Sequence, residues 1–103
     1  MRVVWLNRAK VALRFTNKYI KREYGQKRKE DFQNEVNHIG LLLSKHPHLG
    51  SPESYLADRP FLYRSIVVGH LNKIIYRVLD DRIEIVDFWD TRREPHSQAE
   101  QVK

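Results

Sequence analysis

Residues 62–95 read LYRSIVVGHLNKIIYRVLDDRIEIVDFWDTRREP, and this stretch decides the fold. Three β-branched and aromatic runs, 62–68, 72–79 and 82–90, are separated by Gly69-His70-Leu71 and by the two-residue link Asp80-Asp81. Runs of this length divided by short turn signals predict consecutive antiparallel strands. Alternation places Arg64, Ile66 and Val68 on one face of the first strand and Tyr63, Ser65 and Val67 on the other. In the second, Ile74, Tyr76 and Val78 alternate with Lys73, Ile75 and Arg77, so one face is apolar and the other cationic. In the third, Ile83 and Ile85 oppose Glu84, Val86 and Phe88, a pattern for a strand covered on both faces.

Everything upstream has the character of material that covers one face of this sheet. Arg2-Val3-Val4-Trp5-Leu6 reads as a short strand, and Asn7 is a candidate cap for the helix that follows. From 8 to 24, Ala12, Phe15 and Tyr19, with Leu13, Ile20 and Tyr24 beside them, form a wide apolar stripe. Lys10, Arg14, Lys18, Lys21 and Arg22 fall largely on the other side, and Gly25 is placed to end the helix. Phe32, Val36, Ile39, Leu42 and Leu43 predict a second helix from 26 or 27 to about 45, stopped by His46-Pro47. Almost nothing joins the two helices, which predicts an antiparallel hairpin. The Pro- and Gly-rich span 47–60 reads as an ordered loop, and residues 96–103 as a mobile polar tail. The expected fold is α+β: an N-terminal strand and helical hairpin packed on one face of an antiparallel, twisted sheet, in a single domain over residues 1–95.

Composition narrows the function classes. A chain of 103 residues has room for one core. It has no cysteine, which removes disulfides and thiolate metal sites and suits a cytoplasmic protein. No run approaches the ~20 apolar residues of a membrane span. The net charge of +6 is unevenly held: Lys and Arg outnumber Asp and Glu eleven to four over residues 1–50, against eight to nine over 51–103. Such a field favours an acidic partner, either nucleic acid or protein, while an isolated basic helix is also an ordinary solvated face. His46 and His48 are split by proline, and His38 and His70 lack ligand-spaced carboxylates, so no metal site is expected. The four glycines are isolated and form no phosphate-cradling loop.

The order of elements, the loop Pro47-x-Leu49-Gly50-x-Pro52, the pair Tyr63-Arg64, the run Lys73-Ile74-Ile75-Tyr76-Arg77-Val78 and the ending Asp90-x-Arg92-Arg93-x-Pro95 together resemble the RelE/ParE superfamily of bacterial toxins. The resemblance covers nearly the whole chain. It implies a toxin of a type II toxin–antitoxin system, without a cofactor, held inactive by a cognate antitoxin whose acidic segment folds over a basic or apolar groove. It leaves the oligomeric state of the free toxin open. RelE-like members cut messenger RNA on the ribosome, whereas ParE-like members inhibit DNA gyrase and are not nucleases. Fold alone does not choose between them.

Metal-free RNA cleavage requires a base for the 2′-hydroxyl, cations for the pentavalent phosphate and an acid for the leaving oxygen. By the resemblance, Arg64, Lys73 and Arg92 or Arg93 match the family's basic positions, and His96 is the residue nearby able to titrate near neutrality. By parity Arg64, Lys73 and Arg77 can share the face away from the helices. Trp89 offers a stacking surface, more often a core role, and Lys18 and Arg22 a basic helix face for RNA. Two features depart from the nuclease pattern: Ile66 stands where a second lysine is expected, and no tyrosine follows Arg93. If the arginines are structural, Arg92 or Arg93 should pair with Asp87 or Asp90.

Overall fold

In the computed structural model, which describes residues 1–102, the three-strand stretch forms as the alternation predicts. Strands β3 (Tyr63–Val68), β4 (Asn72–Val78) and β5 (Arg82–Asp90) pair antiparallel in sequence order. The sheet is wider and less uniform than expected. Strand β1 (Arg2–Trp5) joins it parallel to β5, and the two-residue β2 (Ser51–Pro52) borders β3, giving a mixed five-stranded order β1-β5-β4-β3-β2. The Pro- and Gly-rich composition of 47–60 reads as loop and hides β2, yet Pro52 is tolerated because an edge strand has no ladder hydrogen bond to lose there. The N-terminus is pinned as well: the Met1 ammonium donates to the Ser44 carbonyl at 2.8 Å, and Ser44 Oγ donates back to the Met1 carbonyl at 2.7 Å.

Helices α1 (Asn7–Tyr24) and α2 (Gln26–Lys45) form the predicted hairpin, broken by Gly25 at φ 96°, whose N–H donates to the Lys21 carbonyl. Asn7 is not the cap. Leu6 occupies that position, and no side chain satisfies the first turn of α1. The hairpin packs on one sheet face around Ala9, Val36, Ile39, Leu43, Val68, Ile74, Tyr76, Ile83, Ile85 and Phe88. Phe88 joins Ile83 and Ile85 on this face, against strict alternation. Ile75 pairs with Asp87 and Tyr76 with Ile85, so Val86 is an unpaired bulge residue that shifts the parity of everything after it.

The opposite face is covered too, as the two-sided pattern of the third strand allows, but by segments that the sequence reads as loop and tail. A 3₁₀ turn, Ser54–Leu56, and a short helix α3, Pro95–Ala99, close over Tyr63, Ile75, Val86 and Trp89. Residues of the expected mobile tail therefore fold back: Ala99 and Val102 are buried, and Arg59 donates to both their carbonyls at 2.7 and 3.0 Å. Glu94 starts α3 by accepting the N–H groups of His96 and Ser97, with Pro95 in the first turn. Gln98 locks the helix to the end of β5 through paired hydrogen bonds with the Asp90 backbone, both 3.0 Å. Lys103, the last residue of that expected tail, lies outside the described residues.

Candidate functional site

Arg64, Lys73 and Arg77, expected to converge, are split between the two sheet faces, and of the three Arg64 and Arg77 border a common depression. Arg64 pairs across the ladder with Tyr76, so its side chain leaves the sheet on the helix side, beyond the end of the hairpin, where it donates to the Gly50 carbonyl at 2.8 Å. Lys73 and Arg77 leave by the other face. Parity had allowed all three to share one face, and the sheet register separates Arg64 from the other two.

Each cation on that second face is already held by a carboxylate. Lys73 Nζ meets Glu53 Oε1 at 2.5 Å, between the rings of Trp89 at 5.4 Å and Tyr55 at 5.9 Å. Burial alone would raise the Glu53 pKa. Hydrogen bonds from Lys73, the Tyr55 N–H and Ser65, with the Lys73 charge, outweigh it and hold the carboxyl below the usual range. Arg77 donates twice to Glu84, at 2.7 and 3.0 Å, and stacks on Phe61 with its guanidinium carbon 4.3 Å from the ring centre. Those bonds, joined by one from Arg82, lower the Glu84 pKa against its desolvation.

At the end of β5, Arg92 forms a two-toothed contact with Asp90 at 3.1 and 3.2 Å, the structural pairing that the sequence allowed. Arg93 is exposed beside it. The His96 ring is also exposed and meets Tyr55 edge-on at 5.2 Å, so His96 and Lys73 flank the same tyrosine while Arg64 and Arg77 lie elsewhere. Trp89 is 2% exposed beneath α3, with Nε1 donating to Asp87 at 3.0 Å, and offers no ring face to a base. Lys18 and Arg22 are exposed on α1, Arg22 held by Glu23 and lying over Tyr19. Among the described residues no group of three His, Cys, Asp or Glu side chains is arranged to hold a metal ion, and no helix is long and apolar enough to cross a membrane.

A wide concavity lies on the hairpin side, along α1. It has a volume of about 1410 Å³ and runs from α1 across the start of α2 and the β3–β4 turn to Arg92 and Arg93. Its most exposed large apolar side chain is Phe15, which is 70% accessible, with Val11, Tyr19 and Tyr24 also exposed. Sequence reading had placed Phe15, Tyr19 and Tyr24 in the core stripe. The core-facing stripe is instead Ala9, Ala12 and Leu13, spaced three and one apart on the adjoining face. The available signal was surplus: α1 carries more apolar residues than one core-facing stripe needs. Val11, Phe15 and Tyr19 recur every four residues and run beside Lys10, Arg14 and Lys18, which repeat with the same period.

A family model described as the ParE toxin of the type II toxin–antitoxin system parDE matches residues 3–95, from β1 to the first residue of α3. Among solved structures, a chain of the chromosomal ParDE toxin–antitoxin system from P. aeruginosa superposes with a TM-score of 0.71 at 14% identity, covering 87% of this chain and 95% of that one. No curated protein matches in sequence. The wide groove and the carboxylate-held cations thus sit on a shared scaffold, and by the family match over residues 3–95 the chain belongs to the ParE toxin family of type II toxin–antitoxin systems.

Proposed function

We propose that this toxin acts by binding a protein target, DNA gyrase, and not by cutting RNA. One observation carries the reading: Lys73, Arg77 and Arg92 are each committed to a carboxylate, and Arg64 emerges from the opposite face of the sheet. Phosphoryl-transfer catalysis without a metal needs cations and proton-transfer groups within hydrogen-bond reach of one phosphate. A lysine paired with a buried glutamate offers a phosphate no net positive charge, and the glutamate repels it. The test runs two assays on one preparation: gyrase supercoiling, and a defined message on translating ribosomes. Supercoiling should fall with added toxin while the message stays whole. A cut message with unaffected supercoiling overturns the proposal.

The partner that silences the toxin is a cognate antitoxin, and the α1 surface suits it. The stripe Val11, Phe15, Tyr19 lies beside Lys10, Arg14 and Lys18, for which no carboxylate partner is found among the described residues. An amphipathic segment with an apolar edge and acidic flank satisfies both, folding as it docks. Phe15→Asp should weaken antitoxin binding by about 2–4 kcal/mol, the range of an aromatic anchor, as read by calorimetry. Because Phe15 is exposed, the melting temperature should stay within a few degrees. Parent-like affinity in the variant would remove α1 from the contact.

A further inference from the structure

Of the cations on β3 and β4, Arg64 alone has no carboxylate among the described residues. It spends one N–H on the Gly50 carbonyl, 2.8 Å away, and a guanidinium has five. It lies in a depression of about 130 Å³ walled by His48, Phe61, Leu62, Arg77 and Val78, at the opposite end of β3 and β4 from the α1 groove. Phe61 and Leu62 stand 47% and 60% exposed at its rim. Arg77, the second cation in the wall, is locked to Glu84 and lies over the Phe61 ring. The depression thus combines one cation with unspent donors, an exposed apolar rim, and room for on the order of one side chain.

We propose that this depression is the anchor by which the toxin grips its protein target, accepting an aspartate or glutamate side chain whose neighbour is apolar. The proposal deepens the gyrase reading and rests on it for the target's identity. An arginine with free donors binds a carboxylate in paired, geometrically demanding hydrogen bonds, and a partner whose apolar neighbour covers Phe61 and Leu62 shuts water out and strengthens them. A second copy of this chain is a poor occupant, since it brings another cation to the same place. A nucleic-acid backbone finds a single uncommitted charge here, against the several that phosphate tracking uses.

The test compares parent, Leu62→Asp, Arg64→Gln and Arg64→Lys by four readouts: growth arrest on expression in bacteria, half-inhibition of gyrase supercoiling, affinity for the antitoxin, and binding to a single-stranded RNA. Leu62 is an exposed rim residue, so Leu62→Asp keeps the fold while placing a carboxylate against the expected partner carboxylate. The two charge- or rim-breaking variants should need about tenfold to a hundredfold more toxin for half-inhibition. Growth arrest should fall in step, and antitoxin affinity should stay within about twofold of the parent. Arg64→Lys, which keeps charge without the fork, should fall between. If the parent arrests growth without touching gyrase and the variants lose arrest, the gyrase reading fails and the anchor stands. If the variants arrest growth and inhibit gyrase at the parent's concentrations, the anchor is overturned. A parent that does neither overturns both, and variants that lose RNA binding together with arrest overturn the protein-anchor assignment.

Discussion

Lys73→Ala is expected to destabilise the protein by about 3–5 kcal/mol at neutral pH, the effect of stranding a buried charge by removing its partner. The Glu53 side chain is 3% exposed, and Lys73 supplies the cation that offsets that burial. For a domain of this size the melting temperature should fall by more than about 12 °C. The sign of the pH dependence follows from the direction of the Glu53 shift. In the parent its folded pKa lies below the unfolded value, so the pair's contribution is present above the ordinary carboxylate range and is lost as pH falls through the folded value. In Lys73→Ala, burial without the lysine favours the protonated acid, and the penalty shrinks as the medium becomes acidic. The gap between parent and variant should therefore close with falling pH. Adding Glu53→Gln to Lys73→Met should restore most of the stability, because no buried charge remains and the amide oxygen can still accept from the Tyr55 N–H. A melting curve unchanged by Lys73→Ala, or a gap that widens in acid, sinks this account. The same number governs how toxicity data are read: loss of toxicity in Lys73→Ala without a melting curve reports an unfolded protein as readily as a missing catalyst.

The elements themselves were legible because their signals are local. Strands β3, β4 and β5 lie within a residue of their sequence positions, and Gly25 divides the helices where a left-handed residue was needed. What failed depended on register or on distant partners. The position of β1 beside β5 is a pairing between residues 2–5 and 82–85 that no window of sequence contains. The bulge at Val86 adds one residue to β5, and a period-2 pattern has no memory of such an insertion, so Phe88 was placed on the wrong face. Arg64 was misplaced by a related weakness. Its own strand put it with Ile66 and Val68, but grouping it with Lys73 needed the cross-strand register, and that register sets it opposite Tyr76. The second cover was hidden by composition. Residues 96–102 are mostly polar, and Ala99 and Val102, three apart, are the small apolar pair that seats the segment over Trp89. The exposed stripe of α1 was hidden by abundance, since a helix with two apolar faces looks from sequence like one wide core face.

Gly50→Ala is expected to be the most damaging single-methyl addition in the chain, costing about 3 kcal/mol or more. A Cβ there would stand 2.7 Å from the Ser65 carbonyl oxygen, 2.8 Å from Tyr76 Cε1 and 2.9 Å from the Tyr76 hydroxyl, two of the three on a fully buried ring and the third on backbone. None of these is a flexible side-chain end. Tyr76 has no easy retreat, because its hydroxyl accepts the Gly50 N–H at 2.8 Å and donates to the Pro47 carbonyl at 2.9 Å, tying the 47–50 loop to the middle of the sheet. Moving the ring would strand both loop groups, a penalty of about 1–3 kcal/mol for each buried polar group left unpaired. Gly40→Ala is the control. It lies within α2 with nothing in reach of the added methyl, and should raise stability by about 0.5–1 kcal/mol through helix propensity alone. Tyr76→Phe removes the hydroxyl but neither the ring Cε1 nor the Ser65 carbonyl, so Gly50→Ala should remain destabilising in that background, by less. The consequence reaches the anchor as well, since the Gly50 carbonyl is what holds Arg64 in place. A displaced loop lets that guanidinium swing free, and Gly50→Ala should weaken growth arrest even at temperatures where the folded fraction, followed by circular dichroism, is still close to one.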